Sequence, residues 1–385
     1  MLACQRDPSL RDLETEVLSC EPVAEGFEVV LADTVLYPEG GGQPADHGTI
    51  GRARITDVQR FGDRVVHTAD RAVAPGPTRV VVDWRRRYDH MQQHTAQHLL
   101  TAMAHNRFGW STTSFHLSGD RCDIELDTPA VGASEISALE EAVNAEVRAA
   151  RPVEIRVVDP EGFAALDVRS RGVPDGIEQI RLIEIAGIDV NTCGGTHVSN
   201  TAELGQIHFL GTEKVRGGTR LYFIAGDRVR GWLRRALDQQ SAISGLLSRA
   251  PESHVETLHK LIADGKAATK TLRGVAAELA ELLGAELART SAAVGTLHRD
   301  EADSALLNQI ASAALRHRPD LCLLLTGGAP EGDFLIVDDP GVLTRGKADI
   351  LEILGGRGGG PPGRLQGKGS RIDRRDQLLS GPLKR

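Results

Sequence analysis

Several absences narrow what this chain can be. Aromatic residues make up only 4% of the 385 positions, with three Trp and three Tyr. No apolar run is long enough to span a bilayer, so the sequence predicts no membrane helix and no membrane partner. The first residues, Met-Leu-Ala-Cys-Gln-Arg-Asp-Pro, carry an early charge and no apolar signal core, so export is not expected. The five cysteines, Cys4, Cys20, Cys122, Cys193 and Cys322, are odd in number and widely scattered. A disulfide framework is therefore disfavoured, and a reducing, cytoplasmic location is the expectation. Positive charge is also in short supply. The net charge of −8 excludes a surface that attracts nucleic acid everywhere. The shortage is uneven, because residues 356–385 hold eight Lys/Arg against two Asp, so any nucleic-acid contact should be local.

What is present centres on two short motifs. His94-Thr-Ala-Gln-His98 lies in a run, Tyr88 to Ala104, whose apolar or small residues recur at helical spacing without Gly or Pro. Two imidazoles four residues apart on a helix face the same way and can share one ion. Cys193-Gly-Gly-Thr-His197 places a thiol and an imidazole around a glycine pair suited to a tight turn. Three His and one Cys match the nitrogen and thiolate preference of zinc. Either motif alone is common without a metal; together they are specific. A metalloprotease helix would need Glu where Thr95 stands, so peptide hydrolysis is disfavoured.

Along the chain, residues 1–85 alternate short β-rich runs with Gly/Pro punctuation and predict a small β-barrel or sandwich. Within them, Tyr37-Pro-Glu-Gly-Gly-Gly-Gln-Pro44 is either an ordinary hairpin turn or a cradle for a phosphate or ribose end. Residues 86–232 predict an α+β segment: the His-bearing helix, an amphipathic helix over 133–150, and strands near 153–158, 180–185, 206–210 and 219–224. Arg216-Gly-Gly-Thr-Arg220 is either a phosphate contact or a solvated hairpin tip. Residues 233–290 are almost all helix formers, with leucines too irregular for a coiled coil and a break near Pro251. They suit a helical hairpin or a dimerising arm. Residues 291–385 predict a small α/β unit with buried strands near 321–325 and 334–337. Its glycine run from Gly355 to Gly363 is not expected to form regular structure, and it could be an anion-binding loop or a loose tail.

These motifs, in this order, resemble the free-standing alanyl-tRNA editing proteins, which are similar to the editing and C-terminal parts of alanyl-tRNA synthetase. The resemblance covers nearly the whole chain. Threonyl-tRNA synthetase editing domains share the paired metal motifs, and the N-terminal glycine loop favours the alanyl branch. The implied architecture is α+β and multidomain: a β-barrel-like domain (1–85), a zinc-containing editing domain (86–232), a helical arm (233–290) and a glycine-rich α/β tRNA-binding module (291–385).

The resemblance implies hydrolysis of the ester in tRNA(Ala) mischarged with serine or glycine. It carries His94, His98, Cys193 and His197 over as Zn2+ ligands, and the C-terminal half as a tRNA-binding and dimerising element. Residue chemistry adds Thr95, Gln97 and Gln43 as polar candidates for reading a serine hydroxyl. Gly40, Gly41, Gly42, Arg216, Arg220, Arg357 and Lys368 are the candidate substrate or tRNA contacts. Arg357, Pro361-Pro362 and Lys368 interrupt the glycine tail and set it apart from the family pattern. Two rivals remain: a noncatalytic tRNA-binding protein with a structural zinc, and an editor of another mischarged tRNA. A nuclease or phosphoesterase lacks the Asp-rich metal cluster such chemistry needs.

Overall fold

The computed structural model describes residues 1–117, 119–166 and 178–384. The chain divides into two compact units, Met1–Ala242 and Ile243–Arg385.

The first unit begins with a short helix, α1 (Ala3–Arg6), and six strands: β1 (Asp12–Val23), β2 (Gly26–Leu31), β3 (Gly48–Ile50), β4 (Ala53–Phe61), β5 (Arg64–Ala69) and β6 (Gly76–Val82). They close in the order β1-β2-β5-β4-β3-β6, so the expected barrel forms and leaves no free edge. Val17, Val29, Ile50, Ile55, Val58 and Val80 fill it. β1 was not among the expected strands. Its inward residues alternate with Asp12, Glu14 and Glu16, acids that β propensity disfavours, and barrel closure overrides that preference.

Helix α2 (Trp84–Phe108) follows directly. The Asp83 side chain caps it by accepting from Arg86 N, and Gly109, at φ 72°, ends it in the left-handed conformation. Nearly every residue from His90 to Ala104 is buried, so the helix is the central element of the unit. Around it lie β7 (Thr112–His116), β8 (Cys122–Leu126), α3 (Ala133–Arg148), β9 (Val153–Val158), α4 (Pro160–Ala164), β10 (Ile180–Ile185), β11 (Asp189–Thr192), β12 (Ile207–Val215) and β13 (Gly218–Ala225). These strands form two antiparallel sheets, β12-β13-β8-β7 and β11-β10-β9. Leu99, Leu100 and Met103 of α2 share one core with Leu139 and Val143 of α3, Ile124, Phe223 and Ile183.

One buried ion pair ties the barrel to α2. Arg87, wholly buried, donates through Nε to Asp46 at 2.8 Å, and through Nη2 to Asp46 and to Val35 O. Asp46 in turn accepts from Tyr37 N at 2.7 Å, at the root of the glycine loop.

Helix α5 (Asp227–Leu247) runs from the first unit into the second. The second continues with α6 (His254–Thr290), β14 (Val294–Arg299), α7 (Ser304–His317), β15 (Cys322–Gly327), β16 (Gly332–Val337), α8 (Pro340–Ile353), β17 (Gly356–Gly359), β18 (Arg364–Gly369) and α9 (Gln377–Ser380). The sheet order is β14-β15-β16-β18-β17, with β14 and β15 parallel. Side chains alternate across it: Leu323, Leu325 and Leu335 meet α6 and α7, while Leu324, Phe334 and Ile336 meet α8.

One expectation is corrected here: the glycine-rich stretch is regular. Gly356–Gly359 and Arg364–Gly369 pair as antiparallel strands. Backbones approach closely there; a Cβ at Gly367 would lie 2.0 Å from Arg357 O, and one at Gly358 2.5 Å from Gln366 O. Ladder hydrogen bonds hold glycine in a conformation it would not keep alone. Among the described residues no helix is long and apolar enough to cross a membrane.

Candidate metal centre

His94 and His98 point from one face of α2 toward the loop that leaves β11 at Cys193. Donor atoms of His94, His98, Cys193 and His197 all lie within 4.8 Å of one another. Cys193 Sγ is 3.4 Å from His94 Nε2 and 3.3 Å from His197 Nε2. The His98 ring centre lies 5.1 Å from that of His94 and 4.8 Å from that of His197. Three of the four are buried and Cys193 is half-buried.

The other ring nitrogens are also engaged. His94 Nδ1 meets Gln43 Oε1 at 2.8 Å, and His197 Nδ1 meets Thr95 Oγ1 at 3.1 Å. With each Nδ1–H donated outward, both Nε2 atoms are left as bare acceptors aimed at the thiol. Burial, reinforced by neighbouring positive groups, holds His94 and His197 well below the usual imidazole range, so both rings stay neutral. Burial pushes the Cys193 thiol up, against the pull of Gly195 N–H and Arg181. Neutral imidazoles are what a metal ligates, and bringing an ion to the thiol would offset its burial.

Glycines let these parts approach. A Cβ at Gly195 would lie 2.2 Å from His94 Cε1 and 2.9 Å from Gln43 Oε1. At Gly42 it would lie 2.5 Å from Phe115, whose ring faces His94 at 6.3 Å. The glycine loop is a closed turn: Gly40 N donates to Gln43 O, Gln43 N to Gly40 O, and Tyr37 Oη to Gly40 O. The N–H groups of Gly40 and Gln43 are therefore spent within the loop. What the loop carries to the centre is the Gln43 side chain, which also accepts from Thr196 N at 3.0 Å and donates to Thr196 Oγ1 at 2.8 Å.

The three polar candidates thus have unlike surroundings. Gln43 and Thr95 are occupied with the histidines, and Thr95 Oγ1 also accepts from Val198 N. Gln97 donates to Thr101 Oγ1 at 2.9 Å, while its Oε1 is buried and has no partner among the described residues. The arginine candidates also diverge. Arg216 sits exposed at the β12–β13 turn, whereas Arg220 pairs across the sheet with Glu125 and Asp123, which pushes its pKa up. In the second unit Arg357 and Lys368 are directly paired across β17 and β18, and both are exposed.

Sequence reasoning missed Arg181. On β10 it donates Nη1 to Cys193 O at 2.5 Å and Nε to Gln5 O at 3.0 Å, while Gln5 Nε2 donates to Gly194 O. The metal loop is thus clamped from β10 and α1. A half-buried arginine in a strand carries no sequence signal, and its contact with Gln5 spans most of the first unit.

Residues 180–222 match the family described as the threonyl and alanyl tRNA synthetase second additional domain, a stretch that includes Cys193 and His197. The chain is 39% identical to alanyl-tRNA editing protein Aarsd1-B of Xenopus laevis, over 97% of this chain and 95% of that protein. It is 40% identical to alanyl-tRNA editing protein Aarsd1 of Mus musculus over the same shares. The chain belongs to the alanyl-tRNA editing protein family. Family resemblance extends to the synthetases, with 31% identity to the alanine–tRNA ligase of Pyrobaculum neutrophilum over 94% of this chain and 42% of that enzyme.

Proposed function

We propose that this chain is a trans-editing aminoacyl-tRNA deacylase that clears serine, and also glycine, from mischarged tRNA(Ala), with Zn2+ held by His94, His98, Cys193 and His197. The observation that carries the reading is the convergence of these four donors, in a chain that matches editing proteins along almost its whole length. Tetrahedral zinc with ordinary Zn–S and Zn–N bonds sets S and N about 3.5 Å apart. The Sγ–Nε2 separations of 3.3 and 3.4 Å are compatible with that. When bound, zinc supplies Lewis acidity or an anchor for the substrate at this point.

A synthetase pocket sized for alanine rejects serine poorly, which is why a second, hydrolytic site is useful. A site that hydrogen-bonds the serine hydroxyl spares alanine, because alanine would leave its polar groups unpaired. Gln97, with its unpartnered Oε1, is our candidate reader; Gln43 and Thr95 act through the histidines they hold. Gly41, Gly42 and Arg216 are proposed to meet the substrate end, and Arg357 and Lys368 to meet tRNA. Function is apportioned among barrel (1–85), editing segment (86–232), arm (233–290) and glycine-rich module (291–385), with dimerisation through the C-terminal half and residence in the cytoplasm.

The test is deacylation of seryl-, glycyl- and alanyl-tRNA(Ala) by zinc-loaded and chelator-stripped protein. Zinc-dependent loss of serine with alanine spared is expected. Hydrolysis of none of the three by folded, zinc-replete protein would refute it. A second reading, a structural zinc in a tRNA-binding protein, is favoured by the count of four protein ligands, which fills a tetrahedral shell. A His98→Ala variant that folds but loses hydrolysis excludes it.

A further inference from the structure

Beside the metal centre the first unit holds a cleft of about 1340 Å³, lined by the N-terminal turns of α2, the start of α5 and Pro44. Pro44 follows Gln43, and His90 lies one helical turn before His94, so the cleft adjoins the metal centre along α2. Trp84 and Tyr88 stack in its wall with ring centres 5.7 Å apart, and Trp232 stands across from α2 on α5, 39% exposed.

Six arginines and four aspartates line the cleft, a local excess of positive charge on a chain whose net charge is −8. Arg228 is fully engaged with Asp89, at 2.8 and 2.7 Å, and fixes α5 to α2. Arg85, Arg234 and Arg235 project from exposed positions. Arg234 has Asp238 at 3.4 Å, an exposed pair that a stronger anion displaces at little cost. Arg235 lies over the Trp232 ring at 5.6 Å. At the inner end, His90 Nδ1 is buried without a hydrogen-bond partner among the described residues.

Planar aromatic faces interleaved with guanidinium forks suit stacked bases and phosphates, the chemistry of a nucleic-acid strand. A cleft for an acidic peptide would need the cations and not the stacked rings. We propose that this cleft holds the RNA strand leading to the aminoacylated end while that end occupies the metal centre. The inference rests on the editing reading. Trp84 to His94 is a helix rise of about 15 Å, the span of a few single-stranded nucleotides.

The test compares full-length wild type with a triple variant, Arg85→Ala, Arg234→Ala and Arg235→Ala, and with Trp232→Ala, all at exposed positions outside the metal centre. Binding of uncharged tRNA(Ala) is followed by fluorescence anisotropy across a salt series. Hydrolysis is measured on seryl-tRNA(Ala) and on a seryl ester of the terminal trinucleotide. In the triple variant tRNA affinity should fall at least about tenfold, and the slope of log K against log salt should flatten by about 2. Trp232→Ala should weaken binding and leave the slope unchanged. Hydrolysis of the trinucleotide ester should be unaltered in both. Unchanged tRNA affinity and slope in the triple variant, no tRNA binding by wild type, or equal losses on tRNA and trinucleotide would overturn the proposal. Wild type that binds tRNA but hydrolyses neither ester would refute the deacylase reading alone, because the binding arm still tests the cleft.

Discussion

A methyl group at position 195 has no room. It would fall within 2.2 Å of His94 and 2.9 Å of the Gln43 oxygen, and neither can retreat, because each holds the other. Gly195→Ala should therefore turn His94 off the cluster and weaken zinc binding by more than tenfold, measured by competition with a chromophoric chelator, with the circular dichroism spectrum preserved. Wild-type affinity in this variant would mean that the loop yields easily. Gln43→Ala probes the same ring from its other side. Loss of an outer hydrogen bond to a ligand histidine typically costs 10–100-fold in metal affinity, and a loss in that range is expected. At this scale the sequence was legible where chemistry is local. His94 and His98 share a face by helical spacing, and the Cys193–His197 turn is short. The Gln43–His94 contact joins a barrel loop to a helix, and no local pattern encodes it.

Elements show the same division between local and distant causes. The barrel, the His-bearing helix and the strands at Val153–Val158 and Ile180–Ile185 follow from periodicity and punctuation. β1 and the glycine strands β17 and β18 do not, because pairing partners stabilise them against their own propensities. Arg87, which joins barrel to α2, was hidden for a similar reason: a buried arginine reads as surface until its partner Asp46 is known. Arg87→Met leaves Asp46 buried without its cation and should cost about 3–5 kcal/mol, read from urea unfolding. Within the barrel, His67 is buried, donates through Nδ1 to Val29 O and meets Thr34 Oγ1 at 2.9 Å; burial lowers its pKa to about 4. The unfolded chain protonates this ring near pH 6.5 and the fold resists until about pH 4. Its neutral form therefore favours the fold at neutral pH, and stability drains as pH falls through that window, by about 3 kcal/mol in all. A His67→Gln variant, compared with wild type at each pH, should show a smaller loss between pH 6.5 and 4. Parallel curves would mean that His67 titrates normally in the fold.

Across the whole molecule, the feature hardest to see in the sequence is on α6. Pooled together, the leucines of residues 233–290 look irregular because two patterns are superimposed on one helix. Ala280, Leu283, Gly284 and Leu287 pack toward α7, where a Cβ at Gly284 would lie 2.5 Å from Ala313 Cβ. The remaining residues, Leu258, Leu261, Gly265, Ala268, Leu272, Val275, Leu279 and Leu282, advance by alternating steps of three and four. That is the spacing of a coiled-coil seam, and Leu261, Leu272, Val275 and Leu282 on it are 54–71% exposed. A regular apolar seam of this length is costly to leave in water, and a second copy of α6 offers the matching one. Gly265 and Ala268 would let two backbones approach near its first half. This face of α6 is the surface we propose for a dimer through the C-terminal half. Sedimentation equilibrium should return a dimer for wild type and a monomer for a Leu272→Glu, Val275→Lys double variant. Both changes lie on the solvent side of the helix, so the monomer should keep the core formed by α6, α7 and the sheet. A wild-type monomer at micromolar concentration, or a double variant that still dimerises, would remove α6 as the interface.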